Sequence, residues 1–179
     1  MSKKVVVIST SLRANSNSDS MAASFCNGAK DAGHEVEYIT LRGKQIGFCI
    51  GCLACQSQGE CVIKDDASDI TEKVLNADAV AWATPIYYYE MSGQMKTLID
   101  RMNSMYPRDY KFRDIYFMAS AAEEEESVPE KAISGLQGWI DCYAHASLKG
   151  TVFCGGVTDC GEIAGNDKLD AAYEMGKNL

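Results

Sequence analysis

The stretch KVVVISTSLRANSNS, Lys4 to Ser18, decides how the chain is read: a short apolar run, Lys4-Val5-Val6-Val7-Ile8, gives way to a small-polar loop, Ser9 to Ser18, that opens a helical pattern. Branched Cβ atoms favour the pleated strand, so the run reads as β. A strand that ends in such a loop and then starts a helix presents unpaired backbone N–H groups together with the positive end of the helix dipole. A phosphate fits there. Ser11, Ser16 and Ser18 offer hydroxyl donors, Asn17 an amide, and Arg13 a charged fork of donors. An ordinary polar strand-to-helix loop with an N-cap serine uses the same residue types, so the loop alone leaves both readings open.

Outward from this loop the chain alternates. Met21, Ala22, Phe25, Ala29 and Ala32 recur at helical spacing and Gly33 supplies a stop. Glu35 to Leu41 reads as a second strand through Val36, Tyr38 and Ile39, and Arg42 to Asp65 then shows neither period. Long connections of that kind tend to carry function. Asp66 is expected to cap a helix striped by Ile70, Val74 and Leu75, and Asp78 to Thr84 (DAVAWAT) reads as a strand buried on both faces of a parallel sheet, ended by Pro85. The loop PIYYYEMSG leads into a helix with Met95, Leu98, Ile99 and Met102 on one face, before a fourth strand, Asp114 to Ser120. Ser127 and Glu130 have capping-box spacing ahead of Ile133, Leu136, Ile140 and Tyr143; Leu148 to Cys154 is a fifth strand, and Lys168 to Asn178 a final helix. Strands alternating with helices, without repeats or low-complexity linkers, call for an α/β fold with a parallel sheet covered on both faces. Such sheets take ligands at the carboxyl ends of their strands, which places the first loop, the Thr84 loop and the Ser120 loop on one edge.

At 179 residues and 46% hydrophobic, the chain can bury one good core, so a single domain over residues 1–179 is expected. A net charge of -8 argues against a nucleic-acid or anionic-membrane surface, because phosphate backbones need a cationic footprint. An anionic cofactor would have to be held locally. Lys3-Lys4 precede too short an apolar run for a signal-peptide core, and no later run approaches bilayer length, so a cytoplasmic protein is expected. In that setting the eight cysteines read as thiols, metal ligands or redox groups rather than a disulfide scaffold.

Cys49, Cys52, Cys55 and Cys61 form CxxCxxCxxxxxC. The first three share the spacing that lets successive thiolates meet neighbouring irons of one 4Fe-4S cube, and the fourth is local too. A structural zinc more naturally draws two separated ligand pairs. Free or disulfide-paired thiols in a partner-facing loop are the open alternative. Cys26, Cys142 and Cys154 are expected to pack as small apolar residues. The acidic run Glu123 to Glu126 and the lone His34 and His145 are read as solvated or helix-end groups without chemistry.

Thr10 to Ser18 together with ATPIYYYEMSGQMKTLIDR, Ala83 to Arg101, resembles the flavodoxin-like NAD(P)H-dependent FMN reductase family. With the cysteine segment CIGCLACQSQGECVIKDD, Cys49 to Asp66, the chain looks most like the iron-sulfur flavoprotein branch, and the resemblance extends to GEIAGN, Gly161 to Asn166. The resemblance implies a flavodoxin-like three-layer sandwich with a five-stranded parallel sheet in the order 2-1-3-4-5. It implies that Ser11, Arg13, Ser16, Asn17 and Ser18 hold an FMN phosphate, that Thr84, Pro85, Ile86, Tyr87, Tyr88 and Tyr89 line the flavin, and that Ser120 and Ala121 meet another ring edge. A flat amphipathic ring suits such an aromatic loop, although a proline followed by tyrosines also serves as core and turn filler.

By the same resemblance NADH or NADPH would deliver hydride to FMN. Electrons would continue to a quinone, an azo or nitro compound, free flavin or a redox protein, in a homodimer or dimer of dimers. Thr10 and Leu12 stand where the family often has glycine and proline, and Ala119 to Glu123 lacks its common glycines. A non-enzymatic electron carrier, or a sensor that uses the cysteine loop as a metal or redox switch, are the competing readings.

Overall fold

In the computed structural model, which describes residues 1–179, the elements run β1 (Lys4–Ser9), α1 (Asn17–Asp31), β2 (Glu35–Thr40), α2 (Ala54–Gln58) and α3 (Asp66–Leu75). They continue with β3 (Ala79–Tyr87), β4 (Glu90–Met91), α4 (Gly93–Arg101), a 3-10 turn (Met102–Met105), β5 (Asp114–Ser120), α5 (Glu130–Ile140), β6 (Ser147–Cys154) and α6 (Asp167–Lys177). The sheet order is β2-β1-β3-β5-β6, every neighbouring pair parallel. This is the expected 2-1-3-4-5 order of a flavodoxin-like α/β sandwich, with one addition: β4 folds back antiparallel on the end of β3.

Alternation in the central strands divides the core. Val6, Ile8, Val80 and Trp82 point into a cluster built with α3, α4 and α5 through Val74, Met95, Leu98 and Leu136. Val5, Val7, Ala79, Ala81 and Ala83 point the other way, against Met21, Ala22 and Phe25 of α1 and Ala172 of α6. The apolar runs therefore carry no polar face because both faces are covered. Helices α1 and α6 touch backbone to backbone: a Cβ on Gly28 would lie 1.9 Å from the Tyr173 carbonyl oxygen, and one on Gly176 2.1 Å from that of Phe25.

Three local expectations are corrected. Pro85 does not end β3, which runs on to Tyr87. The Ala83 carbonyl accepts the Thr10 N–H, so Ala83 and, two residues on, Pro85 face the β1 side, and β1 pairing stops at Ser9 opposite Ala83. The N–H that proline lacks would have had no strand to meet. Helix α3 is capped by Asp65, whose carboxylate accepts the Ala67 N–H at 3.1 Å, while Asp66 accepts from the Gln45 N–H at 2.7 Å and pairs with Lys44. The capping box at Ser127 and Glu130 does not form: the N-cap of α5 is Pro129, without a side-chain bond, and the Ser127 carbonyl takes the Glu130 N–H. Burial of Val128 and Pro129 fixes that entry instead.

Tyr143 lies past the end of α5 yet is buried against Phe112 and Trp139. Cys26 and Cys154 are buried as expected, and burial pushes the Cys26 thiol up to about 11; Cys142 is exposed instead, at the surface beyond α5. No helix is long and apolar enough to cross a membrane.

Candidate active site at the carboxyl edge of the sheet

The Thr10 N–H donates to the Ala83 carbonyl at 2.9 Å, so the loop after β1 starts from a fixed point beside β3. It ends at Ser16, the N-cap of α1, whose hydroxyl accepts the Asp19 N–H at 3.2 Å. Between them Ser11, Ser16, Asn17 and Ser18 are all buried. The backbone N–H groups of the exposed Leu12, Ala14 and Asn15 meet no acceptor of the chain, and neither do those of the buried Ser11, Ser16, Asn17 and Ser18. Buried donors of this kind are costly unless something pairs with them, and at the start of a 15-residue helix that something is favoured to be an anion. Behind the loop, Asp19 accepts from the Ser9 hydroxyl and, at 2.9 Å, from Tyr38. Burial first, and Asp19 second, push the Tyr38 hydroxyl up to about 12, so it remains a neutral donor.

The loop forms one wall of an open cleft of about 170 Å³. Ser11, Arg13, Ser16 and Asn17 face Pro85, Ile86 and Tyr87 from β3 and Ser120 and Ala121 at the end of β5. A second hollow of about 260 Å³ shares Ile86, Tyr87, Ala121 and Ala122 with the first and is extended by Tyr88, Tyr89, Glu123 and Val128. The expected residues are thus brought together along a continuous, mostly apolar groove with polar donors at one end, with two exceptions. Ser18 is fully buried beside Ser16, 3.3 Å between hydroxyls. Thr84 is also fully buried and turned inward: its hydroxyl accepts the Ser92 N–H at 3.0 Å and so fixes the residue that caps α4.

Tyr88 and Tyr89 form the two-residue turn between β3 and β4, with φ of 52° and 66°. Left-handed φ at both positions matches the twist of a hairpin, but tyrosine lacks the freedom of the glycine or asparagine usually found there, at a cost on the order of 1–3 kcal/mol each. Tyr88 is wholly exposed, and the Lys131 ammonium lies 5.4 Å from the Tyr89 ring centre.

The loop after β6 supplies residues the sequence reading did not place in the site, Val157 and Thr158. Arg13 Nη1 donates to the Thr158 carbonyl at 2.8 Å and Asn17 Nδ2 to that of Asp159 at 3.0 Å, while Asn17 Oδ1 accepts the Ile163 N–H at 3.2 Å. The Asn17 amide is therefore committed to holding this loop. A signal was present in Gly155-Gly156: a Cβ on Gly155 would lie 2.5 Å from the Glu123 carbonyl oxygen, so glycine there lets the loops after β5 and β6 meet.

Beyond the C-terminal end of α4, Cys49, Cys52, Cys55 and Cys61 all line one small hollow of about 20 Å³, walled by Ile50, Val62 and Ile63. No three of them are gathered into a set that could hold a single metal ion. One ion would need sulfurs about 3.8 Å apart, given a bond near 2.3 Å. An iron-sulfur cube takes its thiolates at separate corners, and four soft donors in an apolar wall suit it. Asn103 Nδ2 lies 3.5 Å from Cys55 Sγ, and Arg108, paired with Glu72, reaches the Gly59 carbonyl at 3.4 Å. Arg108 holds the Glu72 carboxyl below its ordinary value. The segment leaves Phe48, Ile50 and Leu53 largely in solvent.

Residues 3–128 match the family of NADPH-dependent FMN reductases. An iron-sulfur flavoprotein of Archaeoglobus fulgidus is 39% identical over 99 residues, 55% of this chain but only 45% of that protein. The chain thus spans under half of that relative's length. One from Methanosarcina thermophila is 27% identical over 87% of this chain and 82% of its own. Among solved structures, an NAD(P)H:quinone oxidoreductase from Methanothermobacter marburgensis superposes with a TM-score of 0.76 at 21% identity, covering 100% of this chain and 96% of that one, a likeness of fold.

Proposed function

The chain belongs to the NADPH-dependent FMN reductase family, and from that membership we propose that it is an FMN-dependent oxidoreductase that takes electrons from NADH or NADPH and delivers them to a second acceptor. The observation that carries the reading is the cleft, where buried, unpaired N–H groups of the first loop meet an apolar and aromatic wall. The N–H groups of Ser11, Leu12 and Ala14 to Ser18, the hydroxyls of Ser11 and Ser16, and the Arg13 side chain hold the phosphate. Asn17 holds the loop after β6 over it, and Ser18 contributes its N–H. Pro85, Ile86 and Tyr87 with Ser120 and Ala121 flank the ring, Tyr88 and Tyr89 form its rim, and Thr84 keeps β3 and α4 in register. Bound FMN supplies a hydride-accepting N5 and the ability to pass electrons on singly or in pairs. No side chain is assigned as general acid or base. The chain's part is to bind, orient and shield.

Cys49, Cys52, Cys55 and Cys61 would hold a 4Fe-4S cluster, the electron exit toward a redox protein; without it the acceptor is a small molecule such as a quinone or azo compound. The largely exposed Phe48, Ile50 and Leu53 around the cysteines favour burial of that face in a homodimer or dimer of dimers. The iron-sulfur flavoproteins among the relatives support a second reading, an electron carrier that is no reductase of nicotinamide nucleotides. Anaerobic purification with FMN, followed by iron and sulfide counts per flavin and mixing with NADH or NADPH, separates the two. Bleaching of the flavin by either nucleotide without another reductase supports the enzyme; bleaching by neither sinks it. Iron-free protein after reconstitution would retire the cluster.

A further inference from the structure

Arg101 is the last residue of α4, and its side chain has no exposed surface. Its guanidinium has five N–H donors. Nη1 donates to the Gly47 carbonyl at 2.8 Å and Asp65 Oδ2 at 2.6 Å, and Nη2 to the Ile63 carbonyl at 3.0 Å and Asp65 Oδ1 at 3.0 Å. Gly47 precedes the four cysteines and Ile63 follows them, so one buried side chain ties both feet of the segment to a core helix. Asp65 repeats the tie, accepting the Gly47 N–H at 2.8 Å while it caps α3.

Four of the five donors are thereby used. The fifth, Nε–H, is buried and has no acceptor in the chain. An orphaned donor on a charged group is expensive, and its persistence calls for a partner. Arg101 lines the same hollow as the four cysteines. Asp100, the other charged residue on the hollow, has its carboxylate drawn off to Lys96 at 2.6 Å. Both carboxylates are thus occupied, Asp100 by Lys96 and Asp65 by the Nη groups of Arg101, and what the pair turns toward the cysteines is the unpaired Nε–H.

We propose that Arg101 is the positioning residue of the cysteine hollow: it clamps both ends of the segment and presents its spare Nε–H to the sulfur-bound group, making that group easier to reduce. The inference rests on the 4Fe-4S reading above. Reduction adds negative charge to a cluster, and a nearby cation or N–H donor to sulfur stabilises the reduced form and raises the potential.

The test loads wild-type protein, Arg101→Lys and the double variant Arg101→Gln/Asp65→Asn with iron and sulfide under anaerobic conditions. The double variant removes both buried charges, so no carboxylate is left unpaired. Iron per chain, FMN binding and the midpoint potential from a dithionite titration are then read. The expected result is a potential more negative than wild type in both variants, with FMN binding retained. A folded variant that binds FMN but takes up less iron than wild type supports the clamp. If the double variant does not fold, Arg101→Lys decides by the same shift. Wild-type iron content and potential in the folded variants overturn the role of Arg101 while leaving the cluster standing. Wild-type protein that takes up no iron overturns the cluster and this inference together.

Discussion

The first loop lies by the N-terminal end of α4 and the cysteine segment by its C-terminal end, and the two are held in opposite ways. The loop from Ser9 to Ser18 is fixed by backbone: β1 pairs with β3 up to Ser9, Thr10 bonds to Ala83, and Ser16 caps a long helix. The segment from Cys49 to Cys61 has only the five residues of α2 as regular structure and is fixed by side chains from elsewhere, Arg101, Asn103 and Arg108. An anion site can be made by strand, loop and helix in sequence order, because the donors are the main chain itself. A thiolate site needs the loop to be pinned from outside. The two should therefore fail independently.

The largest effect is expected where one side chain does most of the pinning. Arg101→Gln alone, which strands Asp65 beside a neutral partner, should cost about 3–5 kcal/mol in denaturant unfolding, as broken buried pairs do, while the protein that remains folded binds FMN as wild type does. Loss of FMN affinity in the folded fraction would show that the two regions are coupled. Arg13→Ala should act the other way round. It removes a charge-assisted donor valued at about 1.5–3 kcal/mol, and so should weaken FMN roughly 10- to 100-fold by equilibrium titration, with iron content and unfolding midpoint unchanged.

Ser16→Ala touches a cap and a phosphate donor at once; a stability loss of about 1 kcal/mol with a smaller rise in the FMN dissociation constant than for Arg13→Ala is expected. Acid gives the mildest discrimination. Burial opposes the Asp65 charge, but its bonds to Arg101, Gly47 and Ala67 hold its carboxyl below the ordinary 3.8. The stability this provides is complete above 3.8 and is lost as pH falls through the lowered folded value. Proteolysis of the cysteine segment should accelerate in that window before FMN is released; release of FMN first would contradict the contrast.

The same difference explains what could be read from sequence. Period and punctuation found every parallel strand and every helix that builds the layers, and placed three loops on one edge, because those features follow from local pattern and from burial on two faces. Pro85 misled because what matters for a proline is whether its missing N–H had a partner, and that depends on where the neighbouring strand stops. Ser127 and Glu130 misled because spacing permits a capping box without compelling one. Ser11, Arg13, Ser16, Pro85, Ile86 and Tyr87 line one cleft, whereas Thr84 turned inward and Val157 and Thr158 entered from a loop more than a hundred residues away. The cysteine spacing was plain, but the clamp was not: Arg101 lies 36 residues beyond Asp65, and nothing local marks the pair.

The central claim is that the cleft at the sheet edge presents bound FMN to a nicotinamide nucleotide. Anaerobic rapid mixing of the FMN-loaded protein with NADPH and, separately, NADH tests it directly, followed by the flavin's visible absorbance. Full loss of that absorbance with at least one nucleotide, slowed in Arg13→Ala only as far as FMN occupancy falls, is the predicted result; flavin that stays oxidised with both would contradict it.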